Sequence, residues 1–198
     1  KDGRLAKISK ICGAANIVPD DIEFVDIAGL IKGAHQGEGL GNEFLSHIFG
    51  VDLILEVVRA FEDENVPHVL ETVDPERDIK IIAEELRKKD EEIEARNRDK
   101  KVKEKIALPK LSEKPTIHVL NSRVSLKTQR QNAIVLDIKL EDELADEPVE
   151  DQKQFRTTSS LEELITLILK TLGLITFFTA NKNEARSNLA PQGISAWE

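Results

Sequence analysis

Five of the chain's ten glycines fall in one short run, residues 29–41. The run closely follows residues 22–25, a short β-prone stretch that leads into Asp26. Proteins of the α/β class bind phosphates at such a place, where a strand brings an acid to the sheet edge and a glycine-rich loop follows. A flexible turn is the alternative for an isolated Asp-x-x-Gly, because both residue types are ordinary in turns. The complete run predicts an α/β fold with a phosphate-binding loop.

Asp26 and Gly29 are the residues of this region whose chemistry can be assigned directly. The Asp26 carboxylate can hold Mg²⁺ directly or through water, since Mg²⁺ prefers oxygen ligands and keeps several of its waters. Gly29 has no Cβ, so its backbone N–H can approach a terminal phosphate closely. These two residues predict a Mg²⁺–phosphate site at the beginning of the glycine run.

Apolar periodicity along the chain predicts alternating strands and helices. We expect strands at residues 22–25, 52–58, 116–120 and 133–136, and helices at residues 4–11, 42–48, 78–96 and 161–172. Asp78 is expected to cap the helix at 78–96, after Pro75. Residues from 175 onward begin like a strand and then lose periodicity. Strands separated by helices predict a parallel sheet in a three-layer α/β architecture.

The composition is that of a soluble globular protein, with 198 residues, 40% of them hydrophobic and 33% charged. The single cysteine, Cys12, excludes an intramolecular disulfide and fits a reducing compartment. No apolar stretch reaches the roughly 18 residues that span a bilayer. The net charge of −9 argues against a nucleic-acid-binding surface over the whole chain. We therefore expect a cytoplasmic protein with no membrane partner.

Two stretches of the sequence resemble one family specifically. Residues 26–48, DIAGLIKGAHQGEGLGNEFLSHI, resemble switch II of the YchF subfamily of Obg-like P-loop ATPases. Residues 57–86, VVRAFEDENVPHVLETVDPERDIKIIAEEL, resemble the segment that follows it in that family. Residues 114–121 and 172–186 resemble later parts of the same family more weakly.

The resemblance implies a P-loop NTPase-like parallel sheet, in a nucleotide-binding domain at residues 1–174 that is incomplete at its N-terminus. Residues 79–113 correspond to the family's helical hairpin insertion in a shortened form. Residues 175–198 resemble the beginning of its β-grasp TGS domain, truncated or disordered here. No GxxxxGK[ST] P-loop occurs in the 198 residues, so the resemblance implies an incomplete version of a longer protein.

The resemblance also implies the residues of a phosphate site. These are Asp26, which acts on Mg²⁺ through water, followed by Ile27, Ala28, Gly29 and Leu30. A leucine cannot orient the attacking water by hydrogen bonding, so hydrolysis needs another group. His35 is the candidate catalytic residue, with Gln36 beside it; the alternative is a solvated loop histidine. The other histidines lie in apolar contexts and are expected to be structural, namely His47, His68 and His118.

The implied base-binding residues are Asn121 and the backbone of Ser122. The family has Asn-x-x-Glu at this place, whereas GTPases have Asn-Lys-x-Asp. Here the run is Asn121, Ser122, Arg123, Val124, so the asparagine is present and the acid is not. Asp137 and Ile138 fall at the positions of the family's Ser-Ala pair. The choice between ATP and GTP therefore stays open at this stage.

The function implied by the resemblance is nucleotide binding and hydrolysis of ATP or GTP with Mg²⁺, coupled to association with the ribosome. The ribosome, or its rRNA, would be contacted through the helical insertion and the TGS region. Within the insertion, residues 87–110 carry mixed charges with lysines at Lys100, Lys101, Lys103 and Lys105. On charge pattern alone, a solvated helix with pairs such as Glu84–Lys88 is the preferred alternative. A non-catalytic module that binds a ribosomal or protein partner is the alternative function.

Overall fold

The computed structural model describes residues 2–26, 48–66, 68, 70–99, 110–147, 155 and 160–195, and of residues 96–99 it describes the backbone. Its chain divides into two compact units. One consists of Lys1–Asp26 together with Leu169–Glu198, and the other of Ile27–Ile168. The domain boundary expected after residue 174 stays a prediction.

The first unit packs one helix against a three-stranded sheet. Helix α1 spans Gly3–Cys12, where residues 4–11 were expected to be helical. Its first turn is capped by the Asp2 carboxylate, which accepts a hydrogen bond from the Arg4 N–H at 2.9 Å. Its C-terminus is closed by Gly13 at φ +64°, a left-handed conformation that glycine adopts without steric cost. The helix prediction is confirmed.

The sheet of this unit has the order β1-β6-β5. Strand β1 is Asn16–Val18, β5 is Leu174–Ala180 and β6 is Glu184–Pro191. β6 runs parallel to β1 and antiparallel to β5. The chain's two ends are thereby joined in one sheet.

The strand expected at residues 22–25 is wrong, because residues 19–26 form neither helix nor strand. Pro19 has no N–H to continue the ladder beyond β1. Asp20 then makes side-chain hydrogen bonds to β6 in place of a backbone ladder. Its N–H donates to Ser187 Oγ at 2.8 Å, and its carboxylate accepts from the Leu189 N–H at 2.6 Å. Phe24 is 58% exposed, so the stretch is not a buried strand that carries Asp26 to a sheet edge.

Beyond the strand-like beginning at residue 175, the sequence predicts no further strand, but Glu184–Pro191 is the central strand β6. Asn181 turns the chain before it, since its side-chain oxygen accepts from the N–H groups of Asn183 and Glu184 at 2.7 and 3.0 Å. Ala185, Ser187 and Ala190 are buried although none is large and apolar. A strand whose buried positions are so small shows no hydrophobic alternation in the sequence.

The second unit is built on a parallel sheet of order β2-β3-β4. Strand β2 is Ile54–Arg59, β3 is Thr116–Asn121 and β4 is Ala133–Leu136. All three expected strands are confirmed, with β2 displaced slightly toward its carboxyl end. The register aligns Arg59 with Asn121 and Asn121 with Leu136, so the three strands end together at one edge.

A long helix covers one face of this sheet. Helix α2 spans Pro75–Asp99, and its Ile79 packs with Val58, Leu120 and Val135. Further along, Leu86 packs with Ile48 and with Leu111, which is fully buried. Burying each such side chain stabilises the fold by about 1.5–3 kcal/mol.

Helix α2 begins earlier than expected, and Asp78 does not cap it. Asp74 does, because its Oδ1 accepts from the Arg77 N–H at 3.0 Å while Pro75 occupies the first helical position. Proline is favoured there, since its missing N–H would have no helical partner. The prediction of a helix is confirmed, and the prediction of its cap is wrong.

Two shorter helices follow the parallel sheet in the chain. Helix α3 is Ile138–Glu143 in the second unit. Helix α4 is Leu161–Thr171, which matches the expected helix at 161–172; the boundary between the two units falls within it, after Ile168. Of the expected helical insertion at 79–113, α2 and a 3-10 turn at Leu111–Glu113 are described, while the lysine-rich residues 100–109 lie outside. The helix expected at 42–48 lies outside as well, except for its last residue. Within the described part of the chain, no helix is long and apolar enough to span a bilayer.

Candidate functional site

The carboxyl edge of the parallel sheet is held together beyond the strands themselves. The Ala60 N–H donates to the Asn121 carbonyl at 2.9 Å, and the Ser122 N–H donates to the Leu136 carbonyl at 2.9 Å. Open parallel sheets bind ligands in the crevice outside this edge. The loops that follow β2, β3 and β4 therefore form the candidate site.

The side chain of Asn121 joins the loops after β3 and β4. Its Oδ1 accepts a hydrogen bond from the Ile138 N–H at 3.2 Å. Because an amide accepts only through its oxygen, this contact fixes the orientation of the group. The Nδ2 donors make no hydrogen bond with the residues that the structure describes, so they can serve a ligand.

Ser122 is fully buried and closes the turn after β3. Its hydroxyl donates to the Val124 carbonyl at 2.9 Å and accepts from the Val124 N–H at 3.3 Å. Its own N–H is already bonded to Leu136. The resemblance assigns the Ser122 backbone to base binding. Its carbonyl is the backbone group that is still available to a ligand, as far as the described residues show.

The loop after β2 is fixed to the loop after β3 by a cluster that the sequence did not predict. Arg123 forms an ion pair with Asp63 at 2.8 Å, and its guanidinium lies 4.7 Å from the Phe61 ring centroid. Arg59 stacks on the same ring at 4.8 Å. It also donates to the carbonyls of Phe61, Asp63 and Val66 at 2.9, 3.2 and 2.5 Å.

Electrostatics in this cluster follow from its geometry. The hydrogen bond from Arg123 stabilises the charged form of the Asp63 carboxylate and lowers its pKa. The Asn65 N–H donates to the same carboxylate at 3.0 Å and acts in the same direction. The aromatic Phe61, just after β2, is a signal that the sequence does contain. The Arg123–Asp63 pair joins residues 60 positions apart, so the sequence gives no sign of it.

Asp137 has a structural role at the start of α3. Its Oδ1 accepts from the Leu140 N–H at 3.1 Å, which is the hydrogen bond of a helix N-cap. The resemblance aligns Asp137 and Ile138 with the family's Ser-Ala pair, and in the structure the Ile138 N–H binds Asn121.

The described histidines have structural partners. His68 Nδ1 accepts from the Leu70 N–H at 3.1 Å, so Nε2 carries the proton and donates to Asp78 at 2.9 Å. His118 pairs with Glu56 at 3.0 Å across two adjacent strands. Both confirm the expected structural role, whereas His47 lies outside the described residues. Nowhere in the described ranges do three or more His, Cys, Asp or Glu side chains form a group that could hold a metal ion.

The expected phosphate site is described only at its first residue. Asp26 is exposed and has no hydrogen-bond partner among the described residues. Ile27, Ala28, Gly29, Leu30 and the candidate catalytic His35 lie outside the described ranges. Asp26 belongs to the first unit, and Asn121 and Ser122 belong to the second. Asn121 and Ser122, the expected base-binding residues, are consecutive at the carboxyl edge of the sheet, and the assignments of the base site and of the phosphate site both stay predictions.

Comparisons with known proteins agree on one family. Residues 8–122 match the family model described as 50S ribosome-binding GTPase. The chain is 34% identical to the ribosome-binding ATPase YchF of Bacillus subtilis over 259 positions, which cover 100% of this chain and 71% of that protein. It is 62% identical to Obg-like ATPase 1 of Danio rerio over 79 residues, only 40% of this chain and 20% of that protein.

A solved structure supports the same conclusion for the fold. The YchF GTPase of Schizosaccharomyces pombe matches with a TM-score of 0.73 and 26% identity, over 99% of this chain and 70% of that one. The proteins that this chain is similar to are nucleoside triphosphatases by name. With the parallel sheet and the Asn121 loop at its carboxyl edge, these matches show that the chain belongs to the YchF/Obg-like family and has its P-loop GTPase fold.

Proposed function

We propose that this protein, in its complete form, is a cytoplasmic ATPase or GTPase of the YchF type that binds Mg²⁺-nucleotide and associates with the ribosome. The observation that carries nucleotide binding is the Asn121 loop. It lies at the carboxyl edge of a parallel sheet, and the Asn121–Ile138 and Ser122–Leu136 hydrogen bonds fix its conformation. A purine base would lie against this loop, with the Asn121 amide as hydrogen-bond donor.

The phosphates would be bound by the segment that begins at Asp26. Asp26 suits a hydrated Mg²⁺, because Mg²⁺ in nucleotide complexes takes only one or two protein carboxylates. When bound, the ion would neutralise phosphate charge. The backbone from Ile27 to Leu30 would contact the terminal phosphate, and His35 would position water for in-line attack. Hydrolysis also requires a P-loop lysine, and no GxxxxGK[ST] motif occurs in the 198 residues.

Ribosome association is proposed from the names of the relatives and from the shape of the second unit. Both the family model and the Bacillus subtilis relative are named as ribosome-binding. Helix α2 is 25 residues long; Ile79 and Leu86 of its first half pack in the core of the unit, and Ile93 packs against the same cluster as Leu86. Its distal part and the residues after it, together with the first unit's hairpin, are the regions proposed to contact the ribosome or its rRNA.

The rival proposal is a non-catalytic ribosome- or protein-binding module that retains the α/β core. Two observations favour it. Val124 offers no hydrogen-bonding group where nucleotide-binding relatives have an acid. Asp137, the other acid expected near the base, is used as a helix cap.

A nucleotide titration separates the two proposals. We expect saturable binding of Mg-ATP or Mg-GTP that is lost when EDTA removes the metal, and weaker binding by Asn121→Ala. Asn132→Ala is the matched control, since Asn132 is exposed and lies before the amino end of β4, at the opposite edge. A chain that binds no nucleotide, and that sediments with ribosomes equally with and without ATP, would support the module instead.

A further inference from the structure

Strand β5, Leu174–Ala180, has no charged residue although the chain's net charge is −9. Its sequence is LITFFTA, and five of these seven residues are β-branched or aromatic, the types that strands favour. It lies at one end of the sheet order β1-β6-β5, so it is an edge strand within the described part of the chain. An edge strand of this composition is a template for pairing with another strand.

The opposite edge of the same sheet has the features that usually prevent such pairing. Strand β1 has only three residues, and Pro19 and Asp20 follow it directly. Short length, proline and charge are the usual means by which natural proteins protect an edge strand. Strand β5 is seven residues long and has neither proline nor charge. Of the two edges of this sheet, β5 is therefore the one open to pairing.

The hydrogen bonds between β5 and β6 show which backbone groups of β5 face outward. The Asn181 N–H donates to the Glu184 carbonyl at 2.9 Å, and the Gln192 N–H donates to the Gly173 carbonyl at 2.7 Å. In an antiparallel pair, alternate residues of a strand bond to the neighbouring strand. Residues 175, 177 and 179 therefore bond to β6. The N–H and C=O groups that point away from β6 belong to Leu174, Thr176, Phe178 and Ala180.

The side chains of β5 divide between two faces of the sheet. Phe178 lies on the face toward α1, where the Arg4 guanidinium is 5.1 Å from its ring centroid. Ile175, Phe177 and Thr179 alternate with it and lie on the other face. Ile175 is 43% exposed and Phe177 is 44% exposed. The edge thus presents outward-facing backbone groups beside an exposed apolar row.

A second copy of β5 fits this edge in antiparallel orientation, with a two-fold axis at Phe177. Leu174 then lies opposite Ala180 of the second copy. Thr176 lies opposite Phe178 of the second copy. All four residues with outward-facing groups are paired in this register, and no other antiparallel register of β5 with itself achieves that. Phe177 falls opposite itself in a pair without backbone hydrogen bonds, where the Cα atoms are about 4.5 Å apart and the side chains are close.

We propose that β5 is a self-association surface and that its occupant is β5 of a second copy of this chain. The product is a two-fold symmetric dimer with a sheet of order β1-β6-β5-β5-β6-β1. The lack of charge on β5 avoids like-charge repulsion at the contact. Because both outer edges are then the protected β1 strands, association stops at the dimer. One strand from each copy makes a small interface, so the dimer is weak.

Sedimentation equilibrium of the full chain without nucleotide, from about 1 µM to about 500 µM, tests the proposal independently of the proposed function. We expect the average mass to rise with concentration from that of one chain toward that of two, and no further. A chain that stays monomeric over this range would overturn the inference and leave the edge to a strand of another protein. Species larger than a dimer would contradict the closed pairing.

Two charged variants of Phe177 test the register. Phe177→Lys and Phe177→Glu each place like charges opposite one another at the two-fold axis, so the dissociation constant should rise about tenfold. An equimolar mixture of the two variants places opposite charges there, and it should associate about fivefold more tightly than either variant alone. A mixture that associates no better than its components would refute the proposed pairing.

Ile17→Lys is the matched control, because Ile17 is 51% exposed on β1, the other edge strand. It adds the same charge and should leave the dimer intact. Phe177→Thr keeps a residue that favours strands but loses the aromatic pair, so it should weaken the dimer about fivefold even if the charged variants fail to fold. Dimers of Phe177→Thr or Phe177→Lys as tight as those of the unaltered chain would place the interface elsewhere and overturn the inference.

Discussion

Asp90, buried on helix α2, holds Ser112 by two hydrogen bonds, one from the backbone N–H at 2.9 Å and one from the hydroxyl at 2.6 Å. The same carboxylate accepts from the N–H of the neighbouring Leu111 at 2.8 Å. A single acidic side chain thus fixes the 3-10 turn to α2 at the point where the chain returns from the insertion and leads into β3.

We expect Asp90→Ala to lower the free energy of unfolding by about 3 kcal/mol, because a buried N–H loses its charged acceptor. Urea unfolding of the full chain measures this. Asp90→Asn keeps one acceptor oxygen and should lose less. Glu91→Ala is the control, since Glu91 is exposed one position further along the helix. Equal stabilities of Asp90→Ala and Glu91→Ala would contradict the role given to Asp90.

Ile79 should be the most sensitive position on the face that α2 packs against the sheet. It is 4% exposed and contacts Val58, Leu120 and Val135. Ile79→Ala should cost about 2–5 kcal/mol and Ile79→Val about 1 kcal/mol, since each leaves a cavity of a different size. Ile11→Ala, at a position 84% exposed, should change stability by less than about 0.5 kcal/mol. Denaturant midpoints of the three variants give the comparison.

The Arg123–Asp63 pair should make part of the stability depend on acid pH. Its hydrogen bond lowers the pKa of Asp63 in the folded state. The stabilisation is therefore present above the unfolded pKa of an aspartate, near 3.9, and is lost as the pH falls through the lower folded value. Arg123→Ala should melt at a lower temperature than the unaltered chain at pH 7, and the difference should shrink toward pH 2.

Arg123→Lys preserves the charge and serves as the control for the loss of the guanidinium. An Arg123→Ala difference that is the same at pH 7 and pH 2 would mean that the pair contributes nothing through Asp63. NMR titration of the Asp63 carboxyl measures the pKa directly and should show it rise toward its usual value in Arg123→Ala.

Asp26→Ala should weaken Mg²⁺-dependent nucleotide binding, because the proposed site loses the carboxylate that holds the hydrated ion. Affinity for Mg-nucleotide should fall about tenfold or more. Asp21→Ala is a matched control, because Asp21 is an exposed acid in the same segment. Identical titrations for Asp26→Ala and Asp21→Ala would remove Asp26 from the metal site.

The parts of the fold that the sequence predicts correctly are those where periodicity and burial coincide. Strands β3 and β4 are short apolar runs that are largely buried, so their pattern is plain. Strand β6 is missed because its buried positions are alanines and a serine. The expected strand at 22–25 fails for a different reason: the Asp20 side chain takes the backbone hydrogen bonds that a strand would make.

The candidate site is predictable only where it depends on local sequence. Asn121 follows a recognisable strand, so its position at the sheet edge could be expected. The use of Asp137 as a cap is a local contact with Leu140, but it belongs to a helix, α3, that was not expected. The bond of Asn121 to Ile138 and the Arg123–Asp63 pair depend on contacts between segments that are distant in the sequence. Such contacts are set by the register of the sheet, which the sequence alone does not specify.

The pairing of β1 with β6 has a consequence for biosynthesis. Asp20 and its partner Ser187 are separated by 167 residues, almost the whole chain. A ribosome that adds about 5–20 residues per second makes β1 on the order of ten seconds before the strand it pairs with. The β2-β3-β4 sheet needs no residue beyond Leu136 for its strands, so it can assemble during that interval. The nascent chain must therefore carry β1 unpaired until β6 has been made, and the sheet of the first unit closes after the β2-β3-β4 sheet can form.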